Sequence, residues 1–158
     1  MPFATLGLSA LALVALAPGD AAAFSLFSIR EPVYAVVGDL LLAGEAVGHW
    51  DRTGTLRVHS TLDETLQCHG TFHYTALRKG VASITCTDGS ALDLAFEGLG
   101  PVSGWGQGLT PRGPVRFTFG LSADAATPYL NLPQGKRIVE TAQGPRLQDS
   151  VSGAPGRS

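Results

Sequence analysis

Between Leu56 and Phe119, apolar and polar residues alternate in five successive runs, a pattern that admits little besides short antiparallel strands with one wet and one apolar face. Leu56 and Val58 alternate with Thr55, Arg57 and His59. Cys68, Gly70, Phe72 and Tyr74 alternate with His69, Thr71 and His73, and Ala82, Ile84 and Cys86 with Ser83 and Thr85. The pattern resumes at Leu92, Leu94 and Phe96, and again at Val115, Phe117 and Phe119. No longer window carries helical periodicity, and 20 Gly with 10 Pro supply tight turns. The fold class that follows is all-β: a small antiparallel meander of about seven to nine strands, closing as a barrel or a sandwich over one core.

The turns fix the register. Thr87-Asp88-Gly89 suits a three-residue hairpin loop with Gly89 in the left-handed position. It sets Cys86 opposite Ser90, Ile84 opposite Leu92 and Ala82 opposite Leu94, so every apolar residue falls on one face. A two-residue loop would turn Asp93 inward against Ile84. If Thr75 to Lys79 form the preceding loop, Tyr74 faces Gly80, Phe72 faces Ala82, Gly70 faces Ile84, and Cys68 lies directly opposite Cys86. Facing Cα atoms sit about 4.5–5.5 Å apart, within the span of a disulfide. The expected bond is therefore a cross-strand Cys68–Cys86 disulfide, at a non-hydrogen-bonded pair.

Upstream, Val33 to Leu42 and Glu45 to Trp50 read as two more strands. Downstream, Gly98 to Leu109 is glycine-rich, Tyr129–Leu132 and Lys136–Thr141 read as edge strands, and residues 143–158 read as a disordered tail. The start of the chain carries a different signal. Leu6 to Leu16 is a short uncharged apolar run, followed by Pro18-Gly19 and by Ala21-Ala22-Ala23, which places small residues at −3 and −1 of a cut before Phe24. Residues 1–23 are thus expected to be a cleaved signal peptide, although its n-region lacks Lys and Arg. A single β domain is expected over 24–142. The expected location is periplasmic or secreted, an oxidising compartment in which two cysteines pair.

Of the 13 acidic residues only Asp20 lies in the leader, so 12 remain against 11 basic ones. A near-neutral chain with no basic stripe makes nucleic acid an improbable partner, and no polybasic or amphipathic segment argues for a membrane surface.

Three places carry candidate chemistry. His49, His59, His69 and His73 all occupy outward positions in this register. A loop near Leu62 to Thr65 brings His59 beside or diagonal to His69, whereas His69 and His73 lie about 13 Å apart along one strand. A metal site built on His59 and His69, with His49 or Glu64 as third ligand, is the functional reading. The plainer one is solvent-facing polar residues alternating with core. Next, Gly104, Gly106 and Gly108 leave one strand face bare while Ser103, Trp105 and Gln107 decorate the other. Together with Tyr129 these form a possible binding surface for a sugar, a peptide or a protein; the structural reading, which we favour, is that the glycines let the sheet curl while a Trp packs over them. Finally, the chain has no G-x-S-x-G elbow and no H-E-x-x-H, its carboxylates are scattered over turns and outer faces, and a Ser-His-Asp set drawn from it has no weight. No catalytic residue and no cofactor is assigned, and the reading leans away from an enzyme.

A signal peptide ahead of a small disulfide-bearing β domain resembles, in outline, the periplasmic lysozyme inhibitors with compact β-barrels, although their inhibitory loop has no counterpart placed here. The leading expectation is an exported, non-enzymatic binding or envelope-associated structural protein, with another envelope protein as partner. One alternative is an inhibitor of a secreted hydrolase such as lysozyme, working through an exposed loop at Thr75–Lys79 or Gly98–Gly108. Another is a periplasmic metal-binding protein using the surface histidines. A deep pocket with convergent polar groups would instead favour an enzyme.

Overall fold

The computed structural model describes residues 28–150; the expected leader and its cleavage site, and residues 151–158, lie outside them. Eight strands run in chain order as an antiparallel meander: β1 (Ser28–Val37), β2 (Leu40–His49), β3 (Thr53–Ser60), β4 (Gln67–Tyr74), β5 (Lys79–Cys86), β6 (Ala91–Gly98), β7 (Gly104–Thr110) and β8 (Gly113–Phe119). Strand β8 returns to β1, Val33 facing Phe119 and Val37 facing Val115, so the sheet is a closed barrel with no free edge.

The register is the one the turns dictate. Tyr74 faces Gly80, Phe72 faces Ala82 and Gly70 faces Ile84. Ile84 faces Leu92 and Ala82 faces Leu94. Gly89 takes a φ of 85° and its amide donates to the Cys86 carbonyl, while the Cys86 amide donates to Ser90. Cys68 and Cys86 face each other with Cα atoms 4.0 Å apart and are joined by a disulfide. The neighbouring pair carries the ladder bond, Thr87 N–H to Gln67 carbonyl, which leaves the cysteines at the closer, non-hydrogen-bonded position.

The sequence reading needs correction at both flanks. Val33 to Leu42 is not one strand. Gly38 and Asp39 form a turn, Gly38 at a φ of 57°, and β2 then runs unbroken through Gly44 to His49. Tyr129 to Leu132 is not a strand either. After β8 comes a four-residue helix, α1 (Ala123–Ala126), with Ser122 as N-cap accepting from the Ala125 amide, and then a 3-10 turn, Thr127–Tyr129. The stretch expected to be disordered from 143 instead forms β10 (Gly144–Asp149), which pairs with β9 (Lys136–Thr141) as a separate hairpin.

These last elements cover the outer face of β1 and β2. Tyr34, Val36, Leu41 and Ala43 are buried there beneath Ala123, Ala126, Leu130 and Ile138. The Tyr34 hydroxyl donates to the Glu140 carboxylate; burial first, and then that carboxylate, pushes the phenol well above its ordinary range. Burial on both faces explains why Val33–Val37 and Leu40–Ala43 are continuous apolar runs rather than alternating ones.

Elsewhere on β3 to β6 the outward residues, such as Thr55, Arg57, His69, Thr71, Asp93 and Glu97, are exposed and polar. The inward ones form the core, centred on Leu42, Val58, Cys68, Ile84, Leu94 and Val115. Polar outside and apolar inside is the reverse of a lipid-facing barrel.

Candidate functional site: an apolar cavity at one end of the barrel

The two ends of the barrel differ. At the end of the Gly38-Asp39 turn and the β5–β6 loop, Leu42, Val58, Ile84, Leu94 and the disulfide fill the interior, leaving a space of only about 70 Å³. At the other end the inward positions mix small residues with aromatic rings. Gly48 faces Gly54 across β2–β3, Gly98 faces Gly104 across β6–β7, and Ala46 and Ala82 line the wall. A cavity of about 950 Å³ opens there. An eight-stranded barrel is just wide enough either to be filled by side chains or to hold one small ligand, and this volume lies in the range of small-molecule sites.

Aromatic rings furnish the interior. Phe96 stands edge-on to Phe72, Tyr74 and Phe119, with ring centroids 5.0–6.1 Å apart, the edge-to-face geometry that aromatic quadrupoles favour. The rings of Phe117 and Phe119 lie over Gly106 and Gly104, where a Cβ would overlap them. The bare glycine face of β7 thus serves inward packing of phenyl rings from β8; the tryptophan expected to cover it does not, since Trp105 stacks on Tyr129 and Trp50 stands exposed on the rim.

The rim is apolar and uncovered. Trp50 is 80% exposed, Leu77 84% and Ile29 51%, and Leu99 and Val102 are exposed beside them; all five line the cavity. Apolar exposure gathered round one opening differs from the single exposed apolar residues that are ordinary on a protein surface. The loops singled out for a hydrolase inhibitor, Thr75–Lys79 and the start of Gly98–Gly108, both stand here, contributing Leu77 and Leu99.

Polar groups gather at the mouth. Arg52 donates to the Ala76 carbonyl, and its guanidinium carbon lies 5.2 Å from the centroid of the Tyr74 ring. Arg78 Nε donates to the Gly98 carbonyl at 2.8 Å. Burial pushes the Tyr74 phenol up, opposed by the Arg52 charge, so the hydroxyl stays protonated and able to donate. Glu31 and His49 stand on the same rim.

The residues nominated from sequence are placed as follows. His59 faces Gln67 and His69 faces Arg57, which makes the two histidines diagonal neighbours on the outer face of β3–β4. His49 sits at the opposite end of that strand pair, on the cavity rim. No group of three His, Cys, Asp or Glu side chains able to hold a metal forms among the described residues, so the set His49, His59, His69 is not brought together: strand direction places its first member a full strand length from the second.

Trp105 and Tyr129 do meet, stacked with centroids 6.3 Å apart, and Arg116 lies 5.5 Å from the Trp105 ring. That contact fastens the 3-10 turn to β7. Ser103 closes the β6–β7 loop, its carbonyl accepting from Leu99 and Gly100, and Gln107 is exposed on β7. The cavity went unseen in the sequence: the cross-strand glycine pairs at this end make room for the rings of Phe72 and Phe119 and do not by themselves signal an open interior.

No family model matches the chain, and no curated protein matches it. Among solved structures, a redesigned beta barrel aligns over 63% of this chain and 95% of its own, at 15% identity and a TM-score of 0.48.

Proposed function

We propose that this is an exported, non-enzymatic binding protein that carries or captures a small apolar molecule inside its barrel. The observation that carries the reading is the cavity of about 950 Å³, walled by aliphatic and aromatic side chains and opening through an exposed apolar rim. Desolvating apolar surface is favourable by about 25 cal/mol per Å², and a preformed concave site lets that gain appear as affinity. Export is supported by the apolar leader-like run with its Ala21-Ala22-Ala23 end and by the paired cysteines. No helix among the described residues is long and apolar enough to cross a membrane.

The test is titration with the neutral fluorophore N-phenyl-1-naphthylamine, which brightens in apolar surroundings. Saturable one-site binding is expected. Ala46→Phe, which puts a phenyl ring where the cavity wall now has a methyl group, should weaken it while the circular dichroism stays that of the parent. Absence of saturable binding to the parent, or undiminished binding to the filled variant, would sink the reading.

A further inference from the structure

The mouth has a chemical character that the apolar interior lacks. Two guanidinium groups stand on it, each tied to a neighbouring loop through one N–H: Arg52 of the β2–β3 turn to Ala76, and Arg78 of the β4–β5 loop to Gly98. Each keeps further N–H donors, since a guanidinium has five. Neither makes an ion pair with a carboxylate among the described residues. The acid next to Arg52, Asp51, is taken up by the amide and hydroxyl of Thr53. Among the described residues Glu31 is the one carboxylate lining the cavity, against two guanidinium groups and the neighbouring His49.

Backbone conformation singles out the same place. Arg52 has a φ of 65°, and among the described residues no other non-glycine has a positive φ. A long side chain rarely adopts that conformation, and a glycine would hold the turn without strain. Tyr74 joins this cationic mouth to the interior: the Arg52 guanidinium lies over its ring, the ring packs on Phe72 and Phe96, and its hydroxyl makes no hydrogen bond to another described residue.

Resting on the cavity reading above, we propose that the ligand is a single-chain amphiphile with an anionic oxygen head group, a long-chain carboxylate or alkyl phosphate, whose head is held by Arg52, Arg78 and Tyr74 and whose chain lies among the phenyl rings. Planar guanidinium groups suit oxyanions because two parallel N–H donors meet two oxygens.

The experiment displaces bound N-phenyl-1-naphthylamine with four twelve-carbon competitors below their micelle thresholds: dodecanoate, dodecyl phosphate, dodecanol and dodecyltrimethylammonium. Acetate and inorganic phosphate serve as heads without chains. The two anions should compete at least about tenfold more tightly than the alcohol, as charge-assisted bonds imply, and raised salt should narrow the gap. The free heads should not displace the probe at equal concentration. In Arg52→Gln/Arg78→Gln the anion-to-alcohol ratio should fall toward one, both competitors being read on the same variant.

Equal competition by alcohol and anions in the parent overturns the head-group assignment and leaves the cavity reading standing. Preference for the ammonium overturns it in favour of Glu31. Failure of the probe itself to bind removes both readings. The comparison among competitors on the parent protein needs no variant, so it decides even if the double substitution unfolds.

Discussion

Thr118 and Ser60 are both fully buried hydroxyl residues, yet their surroundings differ. The Ser60 oxygen accepts from the amides of Leu62 and Asp63, closing the turn after β3. The Thr118 oxygen, on the outer face of β8 between Tyr34 and Trp105, has no partner among the described residues. A buried hydroxyl without a partner costs about 1–3 kcal/mol, while replacing it with an apolar group of the same shape is neutral or favourable. Thr118→Val should therefore raise the urea midpoint, by about 1 kcal/mol in stability, and Ser60→Ala should lower it by a similar amount. A lowered midpoint in Thr118→Val would mean that the hydroxyl is satisfied, for instance by an enclosed water. The alternation in Val115, Phe117 and Phe119 was enough to place Thr118 outside the barrel. It carried no sign that residues after 120 seal that outside face, because a period-two pattern distinguishes two faces and says nothing of what packs on either.

At the scale of turns, one device recurs. Asp51, Asp63 and Asp88 each accept from the amide and hydroxyl two residues on, at Thr53, Thr65 and Ser90. These bonds, side chain first and then main chain, hold each carboxyl below its usual range. A carboxyl whose folded pKa is depressed stabilises the fold above its unfolded value, about 3.9, and that contribution is lost as pH falls through the lower folded value. The urea midpoint should be level from pH 7 to 5 and fall below about pH 4. In Asp51→Asn/Asp63→Asn/Asp88→Asn the fall should be shallower, because asparagine keeps the acceptor without the titration; an unchanged acid slope would show that other carboxyls govern it.

A second device closes the last two hairpins, neither of which was read from its turn. Thr110 and Thr141 each donate from the hydroxyl to the carbonyl of a glycine three residues on, Gly113 and Gly144, and accept from the amide two residues on. Thr110-Pro111-Arg112-Gly113 joins the glycine-rich β7 to the alternating β8; Thr141-Ala142-Gln143-Gly144 introduces Gly-Pro-Arg-Leu-Gln-Asp, too polar to announce a strand by periodicity. The turn chemistry was present in both, but β10 is held by its ladder to β9 and by Leu147 against the outer core, not by an apolar face of its own.

At the scale of the whole barrel, the packed core and the cavity proposed to bind lie at opposite ends. The packed end has the disulfide and the aliphatic core; the open end has the glycine pairs, the rings and the uncovered rim. Sequence pattern reached β4 to β6 at the first end, down to the facing cysteines, because loop parity and alternation determine register; it missed the Gly38-Asp39 turn at that end, where both faces are apolar. It could not reach the cavity, since alternation tells which side chains point inward and not whether their summed volume fills the space they enclose. This separation has a consequence that can be measured. The disulfide spans 18 residues, and closing a loop of that length in the unfolded chain is worth about 3 kcal/mol on the chain-entropy account. Cys68→Ala/Cys86→Ala should lose about that much in chemical denaturation. Well below its melting temperature the same variant should bind N-phenyl-1-naphthylamine with an affinity within about twofold of the parent, a difference of less than 0.5 kcal/mol, because neither cysteine lines the cavity. Bound probe should in turn raise the melting temperature of both proteins alike, since a ligand that binds only the folded state adds RT ln(1 + [L]/Kd) wherever the rest of the stability resides. A variant that is folded by circular dichroism but has lost the probe would show that the two ends are mechanically coupled, and that the disulfide sets the width of the barrel along its whole length.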